Sequence, residues 1–304
     1  MADANNELLG QDEALGTFSR QKSRHLMQSR TTLPTRRKAL QQLAAGTLLA
    51  LGHWPGTLRA DNEQPAGRFR FIVVNDTHYM SDECGGYLAG AIRKMKEQAP
   101  EFSLHCGDLT EKGEPSHLEA VHELFKALAT PFYPVIGNHD YKTQTDRAGY
   151  EKRFPARLNY SFGHSGWQFI GLDTSDGLRY EKTFVAPATL QWLDESLPKL
   201  DPRSPTVIFT HFPMGADVNY RPFNAEDVLY RFRDFNLQAV FCGHYHGFTE
   251  RTSGQAILTT NACCALKRDN HDGTKVKGFF VCEAGDGKLK RSFIEYTPPR
   301  RSKA

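Results

Sequence analysis

The segment Val240–Gly247, VFCGHYHG, closes an apolar run with a glycine and two histidines, His244 and His246, one residue apart. The run itself is β-branched and aromatic and reads as the end of a buried strand. A lone histidine in such a place is ordinarily a satisfied core or surface group. Two of them directly after a glycine point to a site, provided the rest of the chain supplies partners.

Four other apolar runs end the same way. RFRFIVVND (68–76) leads into Thr77 and His78, and FSLHCGD (102–108) ends in Asp108. FYPVIGNHD (132–140) ends in Asn138, His139 and Asp140, and PTVIFTH (205–211) ends in His211. Between and around these runs lie helical patterns: YLAGAIRKMKEQ (87–98), EPSHLEAVHELFKALA (114–129), DRAGYEKRF (146–154), APATLQWLDESLPKL (186–200) and NAEDVLYRFRDF (224–235). LNYSFGHSGWQFIGLD (158–173) reads as a hairpin turning at His164-Ser165-Gly166. After His246 the strand-like segments are QAILTT (255–260), KGFFVCEA (277–284) and KLKRSFIEY (288–296). Alternating β and α followed by strands alone argues an α/β protein with a mostly parallel sheet and a second, more antiparallel one.

Composition narrows the class. The chain has 304 residues, 39% hydrophobic and 24% charged, with a net charge of +3, which is ordinary for a soluble globular protein. The regular part, 68–296, is short enough for a single core. The small net charge, with no basic helix or zinc-finger spacing, leaves no nucleic-acid-binding surface evident, and no internal repeat is present. None of the six cysteines, Cys84, Cys106, Cys242, Cys263, Cys264 and Cys282, has C-x-x-C spacing. Cys106 and Cys242 end apolar runs and are expected as buried thiols; disulfide pairing stays open.

Residues 1–60 read differently. Arg36-Arg37 precede a stretch without Asp, Glu, Lys or Arg from Ala39 to Leu58, whose apolar heart, Leu43–Leu51, is too short to span a bilayer. With Ala60 at a cleavage point this reads as a secretory signal rather than an N-terminal anchor or a core helix, and the paired arginines resemble a twin-arginine export signal. The expectation is a periplasmic or secreted bacterial protein that meets the twin-arginine translocase during export, started at Met1 or Met27. Residues 297–304 are a basic tail.

In open α/β sheets, ligands bind outside the carboxyl ends of the strands. The polar strand ends are therefore expected to converge, although Asp76 and His246 lie 170 positions apart. Each motif alone is weak, since an Asp after a strand is often just a helix cap. Five in one order are another matter. In DTH, GDLTE, GNHD, THFP and GHYH the chain closely resembles the calcineurin-like metallophosphoesterases, over about residues 68–296. The resemblance implies a four-layer α-β-β-α sandwich of two mixed sheets, with a binuclear metal site at the strand C-terminal ends. Asp76, His78, Asp108 and His246 would hold the first ion. Asp108, Asn138, His211 and His244 would hold the second, with Asp108 shared.

On an extended chain, alternate residues point to opposite sides, so His244 and His246 can each serve one of two neighbouring ions. Gly243 lets the backbone approach closely. Imidazoles with hard oxygens suit Mn, Fe, Zn or Co rather than Ca or Mg. The implied reaction is attack on phosphorus by a hydroxide between the two ions, with His139 as general acid and Asp140 orienting it.

Glu111 stands where purple acid phosphatases of this family carry a tyrosine, and GDLTEKGEP (107–115) looks like the cyclic-nucleotide phosphodiesterase branch. A phosphodiesterase acting on a small phosphoester is therefore expected. A phosphomonoesterase and a non-catalytic metal-binding scaffold are the alternatives. His105, His117, His122, His164 and His271 are expected to be structural or surface groups. The segments 173–185 and 215–224 are expected to border the pocket, with Tyr220 and Arg221 either touching substrate or simply solvated. Nothing in the sequence indicates an oligomeric state.

Overall fold

A computed structural model describes residues 67–298, so the signal-like segment and most of the basic tail lie outside the described residues. Three strands, β1 (Phe69–Val74), β2 (Phe102–Cys106) and β3 (Phe132–Val135), run parallel. They are joined by α1 (Asp82–Lys96) and α2 (Pro115–Lys126). α1 starts five residues before the apolar pattern because Ser81 caps it, accepting from the Cys84 N–H, with Asp82 and Glu83 in the first turn and three basic residues in the last. α2 opens on Pro115, whose missing N–H costs nothing there. A short helix, α3 (Ala148–Arg153), leads into the hairpin β4 (Tyr160–His164) and β5 (Trp167–Leu172). Ser165 and Gly166 have φ of 47° and 79°, as the two-residue turn of a twisted hairpin requires.

The second half adds α4 (Pro187–Ser196), β6 (Thr206–Thr210), α5 (Ala225–Arg231) and β7 (Leu237–Cys242). It finishes with β8 (Thr249–Ser253), β9 (Ala256–Thr260), β10 (Gly278–Gly285) and β11 (Lys288–Glu295).

The first sheet has the order β11-β10-β1-β2-β3 and the second β4-β5-β6-β7-β9-β8. Both are mixed, as the resemblance implied, and the division into a mostly parallel and a more antiparallel sheet read from the element order does not hold. The late strands do not build a sheet of their own. β9 joins β7 in parallel, while β10 returns to lie antiparallel to β1, pairing Phe69 with Ala284. β8 was not foreseen: TERTS carries no apolar alternation, because it is an edge strand with four of its five residues exposed.

Three apolar clusters define four layers. Phe71, Phe102, Trp167, Phe169, Phe209 and Phe241 fill the space between the sheets. Ile72, Val74, Ile92, Val121 and Phe125 seal α1 and α2 onto the outer face of the first sheet. Ile170, Ile208, Leu193 and Val228 seal α4 and α5 onto the second. The period of two along β1, with Phe71 and Val73 inward and Ile72 and Val74 outward, is the pleat dividing one strand between two cores. All six cysteines are free and buried, Cys106 and Cys242 as expected.

Phe169 meets the rings of Phe71 and Phe102 at 5.4 and 5.1 Å, with no solvent exposure. Phe169→Ala should therefore lower unfolding free energy by about 3–5 kcal/mol, read from the urea midpoint and slope. Thr252→Ala on exposed β8 should stay within about 0.5 kcal/mol of wild type. Equal effects would contradict the sandwich.

Candidate metal centre

The carboxyl ends of β1, β2, β3, β6 and β7 meet at one place. The backbone there is wound rather than extended. Asp76, His78, Asp108, His244 and His246 have φ of 52°, 43°, 54°, 63° and 46°. This left-handed region is disfavoured for residues with a Cβ, by on the order of 1–3 kcal/mol each. The expected alternation of His244 and His246 along an extended chain is therefore not what is found, and Asp76 and His78 form a second i, i+2 pair of the same kind. Both members of each pair are left-handed.

Hydrogen bonds between the loops hold this conformation. The N–H groups of Asp76 and His78 donate to Gly107 O and Asp108 O at 3.0 and 3.1 Å, and those of Gly243 and His271 donate to His211 O and His246 O, each at 2.9 Å. Gly243 is required sterically, since a Cβ there would lie 2.7 Å from Asp76 Oδ2.

The side chains form two adjoining basins. In the first, His78 Nε2 and His246 Nε2 are 3.1 Å apart. Asp76 Oδ1 lies 3.1 Å from His246 Nε2, and Asp108 Oδ2 lies 3.5 Å from His78 Nε2. In the second, His211 Nε2 lies 3.1 Å from His244 Nδ1, 3.0 Å from Asn138 Oδ1 and 3.3 Å from Asp108 Oδ1. Asp108 thus offers one oxygen to each basin. All seven residues the sequence nominated for metal binding are brought together, each of them buried.

The outer ring nitrogens decide whether these groups fit metal ions. His211 Nδ1 donates to Cys106 O at 2.9 Å, His244 Nε2 to Tyr180 O at 2.7 Å and His246 Nδ1 to Asp269 O at 3.1 Å. His78 Nδ1 lies 3.0 Å from Glu111 Oε2 in an ion-pair contact. With the outer nitrogens of His211, His244 and His246 donating to carbonyls, their inner nitrogens present lone pairs, and the outer nitrogen of His78 lies beside the Glu111 carboxylate without a hydrogen bond to it. Each basin is then a set of lone pairs and carboxylate oxygens that repel one another unless cations lie between them. This donor set fits two divalent ions of the type that take mixed nitrogen and oxygen ligands.

Proton affinities carry the same sign. Burial raises both carboxyls, yet His246 holds Asp76, and His211 and His139 hold Asp108, below the usual carboxylate range. Burial also opposes charge on His211, but Asp108 draws it up to about 9. Asp76 likewise holds His246 above the ordinary imidazole value. Burial and His211 push His244 down to about 3. With only protons available, the centre charges two of its own imidazoles.

His139 sits at the rim with its side chain 29% exposed, its ring 4.8 Å from that of His78. Its N–H donates to Asp108 Oδ1 at 2.8 Å, and its Nδ1 donates to Glu111 O at 3.0 Å. The expected pairing of Asp140 with His139 is not what is found. The Asp140 oxygens accept from Leu109 N, Thr110 N, Thr110 Oγ1 and Gly137 N at 2.9–3.2 Å. Neighbours in sequence at this turn point apart, so Asp140 locks the GNHD turn onto the GDLT loop.

Sequence reasoning missed Glu111 and Arg268. Glu111 contacts His78 and is gripped by Arg268 through Nε and Nη2. Burial works against it, but His78 and Arg268 bring its carboxyl down to about 2. An acid at the fourth position of DLTE was the available signal; nothing in the sequence pointed to Arg268.

His271, an exposed group as expected, packs its ring 5.3 Å from that of His246. Tyr220, with φ 67°, lies with its ring 5.2 Å from that of His244, at the site's edge, while Arg221 turns away to Met214 O and Glu226. His105 bonds Thr77, His122 meets Arg153 and His164 meets Glu101, as structural groups do.

A family model described as calcineurin-like phosphoesterase matches residues 69–248. The chain is 31% identical over 152 residues to a 3',5'-cyclic-nucleotide phosphodiesterase of Nostoc sp., covering 46% of this chain and 55% of that protein, so it spans about half the length of this relative. It is 23% identical over 215 residues to a glycerophosphodiester phosphodiesterase of Enterobacter lignolyticus, covering 62% of this chain and 74% of that one. The fold is similar to the crystal structure of a dimetal phosphatase from Danio rerio, with a TM-score of 0.56 at 17% identity over 77% of this chain and all of that one.

Because Asp108 faces both basins, Asp108→Ala should abolish binding of both ions. His246→Ala should affect mainly the first basin and His244→Ala the second. Elemental analysis of purified protein reads the stoichiometry, and two ions per chain in Asp108→Ala would refute the shared role.

Proposed function

The chain belongs to the calcineurin-like phosphoesterase family, and from that membership we propose that it hydrolyses phosphoesters, diesters in preference to monoesters. The reading rests on the pair of basins whose lone pairs and carboxylates all face inward. Asp76, His78, Asp108 and His246 hold one divalent ion, and Asp108, Asn138, His211 and His244 hold the other, drawn from Mn, Fe, Zn or Co. When bound, such a pair acidifies water and clamps phosphate oxygens.

The remaining chemistry belongs to the chain. Three imidazoles, those of His211, His244 and His246, are held in orientation by the carbonyls behind them, and His78 lies against the Glu111 carboxylate. Asn138, an amide where a carboxylate would add negative charge, leaves the centre with a surplus of positive charge for an anionic phosphate. His139 keeps its Nδ1 proton on the Glu111 carbonyl, so the proton it exchanges is the one on Nε2, delivered to the leaving oxygen as general acid. A monoester dianion would require further donors for its extra charged oxygen. The five motifs carry no Arg or Lys, and Arg268 is committed to Glu111. That balance favours diesters. Export through the twin-arginine route belongs to the same proposal and puts the substrate outside the cytoplasm.

The test compares bis-(p-nitrophenyl) phosphate with p-nitrophenyl phosphate on Mn-loaded protein. The diester should have the higher kcat/KM. A monoester preference above about tenfold, or 1.4 kcal/mol of transition-state binding, would favour a phosphomonoesterase, and no turnover of either a scaffold.

In a second measurement, His139→Ala should keep its metal and lose roughly 10²–10⁴ in turnover. The loss should be smaller for nitrophenolate than for an alkoxide leaving group. Equal losses would remove His139 from the proton-transfer role.

A further inference from the structure

Three of the four inward-facing imidazoles are braced from behind by main-chain carbonyls, those of Cys106, Tyr180 and Asp269. His78 is the exception. Its outer nitrogen makes no hydrogen bond, but lies 3.0 Å from the Glu111 carboxylate as an ion-pair contact. A carboxylate makes the imidazole it faces a more basic ligand than a neutral carbonyl does. The carboxylate is itself immobilised. Arg268 donates from Nε to Oε2 at 3.0 Å and from Nη2 to Oε1, a two-pronged grip that fixes the plane of the carboxylate as well as its position. The Glu111 side chain is 16% exposed, so water does little to weaken the pair.

The main chain of the same residue has a separate task. Glu111 O accepts from His139 Nδ1 at 3.0 Å, and Glu111 N–H donates to Tyr79 O at 3.1 Å, tying the residue to the segment just after His78. The segment that supplies Arg268 supplies the Asp269 carbonyl behind His246 as well. Both imidazoles of the first basin are thus braced by residues 268 and 269, one through Glu111 and one directly.

We propose that Glu111, clamped by Arg268, is a positioning residue: its carboxylate sets the His78 imidazole, and its carbonyl holds the His139 ring in register with the same basin. The proposal rests on the metal assignment above. Because Glu111 and Arg268 cancel in charge, the pair acts by direction and basicity and leaves the net charge of the centre unchanged.

That cancellation supplies the test. Full-length protein is stripped with a chelator and titrated with Mn(II), free ion being read by electron paramagnetic resonance and heat by calorimetry. His246→Ala marks the binding step that belongs to the first basin. Glu111→Gln should weaken that step by about 10–100-fold, the usual cost of losing the group behind a ligand histidine, and move the other step less than threefold. Glu111→Gln also leaves Arg268 unpaired, so the double variant Glu111→Gln/Arg268→Met is measured too.

If Glu111 only balances charge, the double variant returns to wild-type affinity. If Glu111 positions His78, the double variant stays weak, whereas Glu111→Asp, which keeps a carboxylate, recovers part of the loss. Glu111→Gln retains its carbonyl, so its ratio of rates on good and poor leaving groups should stay at the wild-type value.

Unchanged Mn(II) binding in Glu111→Gln, or full recovery in the double variant, overturns the proposal. So does a wild type that binds no Mn(II), which removes the metal assignment as well. A wild type that binds two Mn(II) yet cleaves no phosphoester sinks only the catalytic reading and leaves the positioning role standing.

Discussion

Two carboxylates, Asp76 and Asp108, lie in the interior with exposures of 0% and 1%, and the architecture around them follows from that burial. An ionised carboxylate withdrawn from water needs compensating positive charge and hydrogen-bond donors. The donors are the backbone N–H groups of His139 on Asp108 and of His244 on Asp76, joined on Asp76 by the Asn75 side-chain amide. The compensating charge must come from whatever occupies the space between the four imidazoles. To aim so many groups inward, the loops adopt left-handed backbone at five ligand positions. Strain of that order persists only where rigid surroundings over-determine it. Here the surroundings are strands of two sheets clamped together by an aromatic core.

Much of this was legible because buried central strands write themselves plainly. β2 and β6 are buried at every position and carry no Asp, Glu, Lys or Arg, so they stand out as strands, and so does the polar residue that follows each. The polar strand ends were noticed for that reason, and the resemblance to the calcineurin-like metallophosphoesterases then singled out the seven ligands among them. What stayed illegible has no local signature. Whether β10 lies beside β1 or pairs only with its neighbour β11 depends on partners far away in the chain. β8 is polar because it is an edge. The sign of φ at Asp76 or His246 leaves no mark on residue type, since glycine, the usual marker, is absent from those positions.

The functional details that escaped notice are mostly carried by the main chain. The carbonyls of Cys106, Tyr180 and Asp269 set three tautomers, and a carbonyl looks the same in every residue. Asp140 illustrates the opposite error. It is adjacent to His139 in sequence, yet the short helical turn at Asn138–Asp140 directs it to the N–H groups of the preceding loop. Burial and nearby Asp108 raise its carboxyl to about 7, so the bond between the two loops is made by a group unusually easy to neutralise.

The pairing of β1 with β10 also governs when the molecule can come into being. Phe69 is matched to Ala284, and the same strand pair contributes Phe69, Phe71, Phe280 and Cys282 to the central core. During synthesis β1 leaves the ribosome early and must wait, one edge unpaired, until more than 200 further residues have followed. Both basins are likewise incomplete until the loop after β7, which bears His244 and His246, has emerged. Loop closure over such distances is slow, and an open strand edge invites the wrong partner meanwhile. The first sheet therefore cannot close until β10 has emerged, and until then β1 has an edge open to a wrong partner.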